Sequence, residues 1–274
     1  MTAPTPVSSS ATAVHRNNVR VSGRADGRPI VFAHGFGCSQ EVWRDVAPHF
    51  EDDYLVVTFD HVGAGGSDLS AYDPVKYDSL HGYADDLREI VDELDLHDVV
   101  YVGHSVSSMV GVLAANAAPA RFGSLVLVGP SARYVDDDGY EGGFDQADID
   151  GLLDSLDSNY LGWSSAIAPV MMGNIARPDL ADDLTASFCA VDPTIARQFA
   201  RVTFLSDNRR DLADVVTPTL VLQCTDDVIA PLPVGTFVHE SIAGSSMVVL
   251  EATGHCPNLS SPAELVREIR RYLG

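Results

Sequence analysis

Short apolar runs rich in β-branched residues alternate along the chain with longer segments in which apolar residues recur at helical spacing. Several short runs are apolar throughout, as expected for strands covered on both faces of a parallel sheet. The predicted strands span residues 18–21, 30–33, 54–59, 99–102, 125–128, 219–223 and 247–250. This alternation predicts an α/β fold with a mostly parallel sheet flanked by helices.

Two helical segments carry clear signals for where they begin and which face they bury. In the first, an apolar stripe at helical spacing comprises Tyr83, Leu87, Ile90, Val91 and Leu94. The last helix is predicted to begin at Pro262, with Ser261 and Glu264 forming a capping box.

The alternation of strands and helices stops between residues 131 and 216. This stretch has helical patterns without convincing strands, and it begins directly after one predicted strand and ends directly before another. Helices placed there would cover the edge at which open α/β sheets bind ligands. We therefore predict a core formed by residues 16–130 and 217–274, a helical lid over residues 131–216, and a flexible tail at residues 1–15.

The chain is strongly acidic. Its 274 residues carry a formal net charge of −22, its isoelectric point is near 4.4, and Lys76 is the only lysine. No basic patch is available, so the sequence argues against nucleic acid as a partner. A distributed acidic surface is a device of halophiles, which suggests a host with high internal salt, and ordinary acidic bias is the alternative.

Other composition signals point away from membranes, secretion and metals. No apolar run is long enough for a membrane span, and residues 1–15 lack the basic start and apolar block of a secretory signal. We therefore expect a cytoplasmic protein that does not bind membranes. The four cysteines show no C-x-x-C spacing, so we expect free thiols and predict no metal or other cofactor.

The most specific chemistry follows the predicted strand 99–102. The segment 103–107 reads Gly-His-Ser-Val-Ser and continues into a helical pattern. This context is typical of a nucleophile elbow, a sharp, strained turn that lifts a serine hydroxyl above the sheet. Ser107 departs from the glycine usual at its position. We predict that Ser105 is the nucleophile, which disfavours dehalogenase or epoxide hydrolase chemistry because both need a carboxylate there.

A serine hydroxyl needs a base, and the partners of such an elbow follow in the order Ser, Asp, His. His255 comes shortly after the seventh predicted strand, and Asp226 and Asp227 follow the sixth. These positions share a sheet edge with Ser105. His255 is predicted as the general base, whereas position along the chain does not decide between the two aspartates.

Two backbone N–H groups are needed to stabilise a negatively charged oxygen beside the nucleophile. One normally belongs to the residue after the nucleophile, here Val106. The other is assigned to Phe36, in the glycine-containing loop after the strand 30–33. A second glycine-rich turn, residues 60–68, lacks the pattern of a dinucleotide site, so we interpret it as structural.

Together these residues resemble the RsbQ family of α/β-hydrolases, whose relatives include plant strigolactone and karrikin receptors. The resemblance is carried by residues 34–43, 60–68, 103–109, 131–159, 192–211, 222–231 and 254–259. Its most family-specific part is Tyr-Glu-Gly-Gly-Phe at residues 140–144. The resemblance implies an α/β-hydrolase core with a four-helix lid.

The resemblance also assigns residues in the site. The family places its acid directly before a small apolar stretch, matched here by residues 228–231, which selects Asp227 over Asp226. It further implies a closed apolar pocket between lid and triad, suited to a small hydrophobic ligand. The residues expected in this pocket are His104, Tyr134, Phe144, Trp163, Ile167 and Phe204.

The elbow and the order of its partners predict an enzyme that cleaves a small hydrophobic ester or lactone through an acyl-serine. The RsbQ resemblance implies a role in stress signalling, together with a phosphatase that carries a PAS sensor domain. The alternative is a ligand-responsive signalling module with only slow hydrolysis, which acts through a protein partner. The rate of turnover distinguishes the two functions.

Overall fold

A computed structural model describes residues 12–274, and its centre is a seven-stranded sheet. Each predicted strand is present at or near its expected position. The strands are β1 (Arg20–Gly23), β2 (Arg28–Ala33), β3 (Tyr54–Phe59), β4 (Val99–His104), β5 (Phe122–Val128), β6 (Thr219–Asp226) and β7 (Ser246–Thr253). The predicted α/β fold is confirmed.

The strands follow the order β1-β3-β2-β4-β5-β6-β7 across the sheet. β1 pairs with β3 in the antiparallel sense, and the other neighbouring strands are parallel. β4 lies in the middle of the sheet, and all six of its residues are buried. Since parallel strands end at one edge, the loops that follow β2, β4, β6 and β7 are brought together there.

Helices connect most of the strands. They are α1 (Ala13–Arg16), α2 (Leu80–Glu93), α3 (Val106–Ala117), α4 (Gln146–Ser158), α5 (Tyr160–Met172), α6 (Pro178–Cys189), α7 (Pro193–Phe204), α8 (Leu232–Ser241), α9 (Pro257–Ser260) and α10 (Pro262–Leu273). Helices α4 to α7 lie between β5 and β6, in residues 131–216, which we call the helical insertion. Within residues 12–274, none of the helices combines the length and the apolar character that crossing a membrane requires.

Element boundaries differ from the sequence predictions where polar residues determine the end of a strand or the start of a helix. β1 begins two residues later than predicted because Asn18 has a φ of 47° and turns the chain after α1. β6 and β7 each run three residues further because their ladder continues to Asp226 and Thr253. The predicted capping box of α10 does not form, since the Ser261 hydroxyl contacts the Glu264 carboxylate instead of a helix N–H.

The predicted flexible tail, residues 1–15, lies outside the described residues as far as residue 11. The chain then forms α1, which is tied to α2 through the fully buried Asp86. The Asp86 carboxylate accepts from Arg16 at 2.7 Å, from Lys76 at 2.6 Å and from the Tyr77 hydroxyl at 2.8 Å. The start of the described chain is therefore anchored to the core.

The chain enters and leaves the helical insertion at adjacent positions. Arg133 and Asp207 form an antiparallel bridge, and the Asn208 N–H donates to the Ala132 carbonyl at 2.8 Å. The Asp207 carboxylate also accepts from the guanidinium groups of Arg209 and Arg133, at 2.7 and 2.8 Å. The contact with Arg209, followed by that with Arg133, lowers the pKa of Asp207 to about 2. The two connections are thus fastened to each other.

The acidic excess is prominent on the helical insertion. Exposed aspartates on α4 and α6 are Asp148, Asp150, Asp154, Asp179, Asp182 and Asp183. Because 39 Asp and Glu residues face only 17 Lys and Arg residues, carboxylates outnumber the cations that could pair with them. Repulsion among these carboxylates opposes the compact state, and dissolved salt screens it.

We expect the melting temperature to rise by roughly 2–8 °C when KCl is raised from about 0.1 to 2 M, as a gain of about 1–2 kcal/mol implies. Circular dichroism at increasing KCl measures this, and a neutral osmolyte at matched osmolality is the control. A melting temperature indifferent to KCl, or an equal rise in the osmolyte, contradicts the halophilic hypothesis.

Candidate active site

β4 ends in a sharp turn that leads directly into α3. Ser105, at this turn, has φ 57° and ψ −126°, a combination that residues with a side chain rarely adopt. Its N–H donates to the Val128 carbonyl on β5 at 2.8 Å. A Cβ on Gly103 would lie 2.5 Å from the Ser107 carbonyl oxygen, so glycine is required there. The turn holds Ser105 at the sheet edge in a strained conformation.

Ser105, His255 and Asp227 form a continuous hydrogen-bonded row. Oγ of Ser105 lies 2.7 Å from Nε2 of His255, and Nδ1 of His255 lies 2.8 Å from Oδ2 of Asp227. His255 is fully buried, and the other two residues are each 5% exposed. The loops after β4, β7 and β6 supply the three side chains, so the structure brings together the residues that the sequence singled out.

Asp227, and not Asp226, faces the histidine. Asp226 is exposed, whereas Oδ1 of Asp227 accepts from the N–H groups of Ile229 and Ala230 at 2.9 and 3.0 Å. Burial opposes ionisation of Asp227, but the adjacent His255 and these hydrogen bonds hold its pKa below the ordinary value. The carboxylate is therefore ionised and fixed in orientation.

The loop that carries His255 is fastened from two sides. The His255 N–H donates to the Met171 carbonyl at 2.7 Å, near the C-terminal end of α5. The His255 carbonyl accepts from Nε2 of His104 at 2.7 Å. The preceding Gly254 has a φ of 83°, and a Cβ there would lie 2.0 Å from the Met172 carbonyl oxygen. The position of the imidazole therefore depends on the helical insertion as well as on the core.

His104 supports the site as a neutral donor. Burial and the neighbouring His255 lower the pKa of His104 to about 3. Because its Nε2 donates to the His255 carbonyl, its Nδ1 is the ring acceptor, and this atom has no hydrogen-bond partner within residues 12–274. His104 thus carries no charge beside the nucleophile at neutral pH.

The two backbone groups predicted to stabilise an oxyanion are both available. The N–H groups of Phe36 and Val106 donate to no backbone acceptor in the part of the chain that the structure describes. Val106 is the first residue of α3, so no preceding helical turn accepts from it. Phe36 and Ser105 line the same cavity. Free N–H groups beside a serine hydroxyl are the arrangement that stabilises a developing oxyanion.

A narrow cavity lies beside Ser105, between the core and the helical insertion. Its volume is about 10 Å³, which leaves room for about one water molecule. The core contributes Gly35, Phe36, Cys38, His104, Ser105, Ile229, His255 and Cys256. The insertion contributes Tyr134, Met171, Leu184, Thr203 and Phe204. The reacting groups are thus enclosed by a largely apolar wall.

Three of the residues predicted for the pocket, His104, Tyr134 and Phe204, are in this wall, and the other three are not. Trp163 packs behind Phe36, with ring centroids 6.0 Å apart. Phe144 is half-buried in the segment before α4, and Ile167 is half-buried against the hydrophobic core. Phe144, Trp163 and Ile167 thus lie outside this wall, and their part in a ligand pocket stays a prediction.

Several residues of the cavity wall were not predicted from the sequence. Ile229 follows Asp227 by two positions, and its N–H bonds to that carboxylate, so its place after the predicted acid was a usable signal. Leu184 belongs to the buried face of α6, which the apolar stripe indicates without showing that it reaches the site. Nothing in the sequence pattern indicated Met171 or Thr203.

Tyr134 brings a hydroxyl group into the cavity. Its side chain is 1% exposed, and the hydroxyl has no well-formed hydrogen bond within residues 12–274. Burial raises the pKa of Tyr134, and the neighbouring Ser105 side chain lowers it by less. Tyr134 therefore stays protonated and keeps a free donor near the nucleophile.

No group of three or more His, Cys, Asp or Glu side chains in residues 12–274 could hold a metal ion. In the glycine-rich turn 60–68, the Asp60 carboxylate accepts from the N–H groups of Gln40 and Gly66 at 2.7 and 2.9 Å. That turn is held by hydrogen bonds to the Asp60 carboxylate, from within the turn and from Gln40. The four cysteines are free thiols.

Comparisons with known proteins agree with this fold. A family model described as "Alpha/beta hydrolase family" matches residues 30–268. The solved structure of a hydrolase from Oleispira antarctica superposes with a TM-score of 0.92 at 36% sequence identity, covering 95% of this chain and 96% of that one.

Two curated relatives extend the agreement to sequence. The "Karrikin insensitive 2 receptor CA" of Petunia hybrida is 38% identical over 258 residues, which cover 94% of this chain and 95% of the receptor. The "Strigolactone esterase D14" of Arabidopsis thaliana is 37% identical over 257 residues, covering 93% and 96%. The likeness to strigolactone and karrikin receptors is confirmed over nearly the whole chain.

Proposed function

Because the chain belongs to the alpha/beta hydrolase family, we propose that it cleaves a small apolar ester or lactone through an acyl-serine at Ser105. The observation that carries the proposal is the unbroken row from Ser105 Oγ through His255 to Asp227. A serine hydroxyl becomes an effective nucleophile when an adjacent imidazole accepts its proton.

Acylation uses each group of this row in turn. Ser105 Oγ attacks the carbonyl carbon while its proton passes to Nε2 of His255, 2.7 Å away. Asp227 keeps the imidazole in the tautomer that accepts at Nε2 and stabilises the imidazolium. The N–H groups of Phe36 and Val106 stabilise the oxyanion. When the tetrahedral intermediate collapses, His255 gives its proton to the leaving oxygen.

Deacylation repeats the sequence with water as nucleophile. His255 takes a proton from the water that attacks the acyl-serine, and Ser105 regains its proton as the acid leaves. For a lactone, acid and alcohol belong to one molecule, so both functional groups leave together. The Tyr134 hydroxyl is placed to donate a hydrogen bond to an oxygen of the ester. The ester group is the one polar group of an otherwise apolar substrate.

We further propose that the helical insertion acts as a lid. The cavity of about 10 Å³ is far smaller than any ester, so a substrate reaches Ser105 only when the insertion moves away from the core. Closure then excludes bulk water and strengthens the electrostatic interactions at the oxyanion. The wall of the cavity favours small, apolar acyl groups.

Partitioning of the acyl group tests the acyl-serine directly. Phenyl and p-nitrophenyl esters of one short acid should give the same ratio of methyl ester to free acid when methanol competes with water. That ratio is shared because both substrates pass through one acyl-enzyme. A ratio that depends on the leaving group argues for direct attack by water. The absence of hydrolysis by folded protein in high KCl favours the second candidate function.

That second candidate is a ligand-responsive signalling module with slow hydrolysis. The relative named a receptor favours it, and so does the hydrogen bond from the His255 N–H to Met171, which couples the reacting histidine to α5. The apolar side chains of Leu161, Val170 and Ile175 are exposed on and after α5 and would be available to a partner. An RsbQ-like version would use a PAS-domain phosphatase as that partner in the cytoplasm.

Turnover and insertion movement separate the two functions. Trp163 lies in the insertion against Phe36, so its fluorescence in a Trp43→Phe background reports movement of α5. The signalling function predicts a shift of this emission by a butenolide lactone, with turnover below the usual range of about 1–10³ s⁻¹. Rapid turnover supports the hydrolase whether or not the emission shifts, because a lid that opens and closes also moves Trp163.

A further inference from the structure

Ser107 occupies the elbow position at which glycine is usual, and its hydroxyl both donates and accepts a hydrogen bond. The side chain is completely buried. Its Oγ donates to the His34 carbonyl at 2.5 Å and lies 2.7 Å from Nε2 of His61. Nε2 of His61 is also 3.2 Å from the same carbonyl. A hydroxyl at this position therefore connects α3 with the loop after β2.

The donors and acceptors of these contacts can be assigned one by one. Ser107 has one hydroxyl proton, which goes to the His34 carbonyl, so Nε2 of His61 donates to Ser107 Oγ. The His61 N–H donates to Nε2 of His34 at 3.1 Å, which leaves the proton of the His34 ring on Nδ1. That Nδ1–H donates to the Gly35 carbonyl at 2.8 Å.

Both rings in this row are neutral. Burial lowers the pKa of His34, and burial together with the adjacent His34 holds the pKa of His61 well below its ordinary value. The assigned tautomers need no additional proton. Within residues 12–274, Nδ1 of His61 has no hydrogen-bond partner. The row is therefore a neutral set of hydrogen bonds, not a second charged triad.

The row ends at the peptide that carries the Phe36 N–H. In a planar trans peptide the N–H points opposite to the C=O, so fixing the Gly35 carbonyl fixes the direction of the Phe36 N–H. The Cys38 N–H holds the same carbonyl at 3.3 Å. Ser107 follows Val106 in α3, so the element that ties down this loop also carries the second free N–H.

We propose that Ser107 and His61 are positioning residues that set the spacing between the Phe36 and Val106 N–H groups. This inference rests on the proposed acyl-serine function, because an oxyanion is what those groups would stabilise. It explains why serine replaces glycine at the elbow. The hydroxyl connects α3 with the loop after β2, a hydrogen bond that glycine cannot form.

Ser107→Ala tests the proposal. Direct loss of an oxyanion donor costs about 10²–10³-fold in kcat, and loosening one donor should cost less, about tenfold, with KM for a p-nitrophenyl ester changed by less than about twofold. The inhibition constant of a trifluoromethyl ketone should rise by the same factor, because its adduct places an oxyanion between the two N–H groups.

Ser108→Ala is the matched control. Ser108 is equally buried in the same helical turn, and its hydroxyl donates to the Gly103 carbonyl at 2.9 Å, not to the loop after β2. It should lose similar stability to Ser107→Ala in a thermal melt while its ketone inhibition constant stays at the wild-type value. A general effect of removing a buried hydroxyl would move both variants alike.

The outcomes separate this proposal from the proposed function. A wild-type protein without esterase activity overturns both. An active wild type with unchanged kcat in Ser107→Ala, or with a kcat loss that the ketone does not follow, overturns the positioning role alone. If Ser107→Ala does not fold, His61→Phe replaces it. That variant keeps an aromatic ring and must show a parallel loss in kcat and ketone affinity.

Discussion

Replacing Ser105 with alanine should lower kcat for p-nitrophenyl ester hydrolysis by about 10⁴-fold or more. Ser105 Oγ, 2.7 Å from Nε2 of His255, is the atom that would form the acyl-enzyme. Without this hydroxyl, His255 could activate only a water molecule. The cavity places the substrate carbonyl for attack by Ser105 and not by water. Steady-state kinetics in high KCl measure kcat, and labelling by a fluorophosphonate probe should disappear in parallel.

Ser108→Ala again provides the comparison. This variant removes a buried serine hydroxyl from the same helical turn without touching the row of reacting groups. It should retain labelling and most of its kcat. If Ser105→Ala is still labelled, or if both variants lose activity equally, the nucleophile lies elsewhere.

Ser105→Gly separates activity from stability. Glycine adopts a φ of 57° without the steric cost that a Cβ imposes there, about 1–2 kcal/mol. The glycine variant should be as inactive as the alanine variant but melt above it, by roughly 2–4 °C per kcal/mol of relieved strain. A lower melting temperature would show that the elbow is not strained in the way its backbone angles indicate.

Asp227→Asn should lower kcat by about 10³–10⁴-fold. Oδ1 of Asp227 is held by the N–H groups of Ile229 and Ala230, so the new amide would keep its oxygen there and turn its NH₂ toward His255. An NH₂ group donates to Nδ1 and forces the ring proton onto Nε2. The imidazole would then be a donor to Ser105 and could not accept its proton.

Asp226→Asn removes the same charge from the neighbouring position. Its side chain is exposed and takes no part in the row, so kcat should stay close to the wild-type value. Assays of both variants at several pH values separate loss of charge from loss of orientation. If Asp226→Asn is the more damaging change, the acid has been assigned to the wrong aspartate.

The same carboxylate links stability to pH. The pKa of Asp227 is lower in the folded chain than the value of about 3.9 expected when unfolded. Its ionised form therefore stabilises the fold fully above the unfolded value, and this contribution is lost as pH falls through the folded value. Asp227→Asn should accordingly flatten the fall in melting temperature in the most acidic range.

The fold could be predicted from sequence because its strands are the most apolar parts of the chain. β3 was predicted with its exact bounds. The prediction of β4 lacked its C-terminal end, and that of β5 lacked its N-terminal end. Several misplaced boundaries involve polar side chains or backbone torsions, such as the positive φ of Asn18. A pattern of apolar residues contains no information about either of them. The boundaries of the sheet were therefore less predictable than its existence.

The candidate site divides in the same way. Ser105, His255 and the pair Asp226 and Asp227 follow strands, so chain order placed them at one edge. The family resemblance, not chain order, selected Asp227 from the pair. The wall of the cavity depends on how four helices of the insertion cross the core, and an apolar stripe does not encode that angle. The hydrogen bonds of Ser107 could not be predicted for a different reason. Its partners, His34 and His61, lie far away in sequence.

The pairing of residues 132–133 with residues 207–208 leaves the two ends of the insertion about 5 Å apart, one strand spacing. Evolution could therefore exchange this block as a cassette, since the core needs to span only a short gap whatever helices lie between. A new cassette must still match the old core at several hydrogen bonds. They include those from the His255 N–H to Met171, from Ser187 Oγ to the Gly37 carbonyl and from Gln198 to the Tyr77 carbonyl. Recombination could thus replace the helices of the insertion as long as its hydrogen bonds to the core are kept.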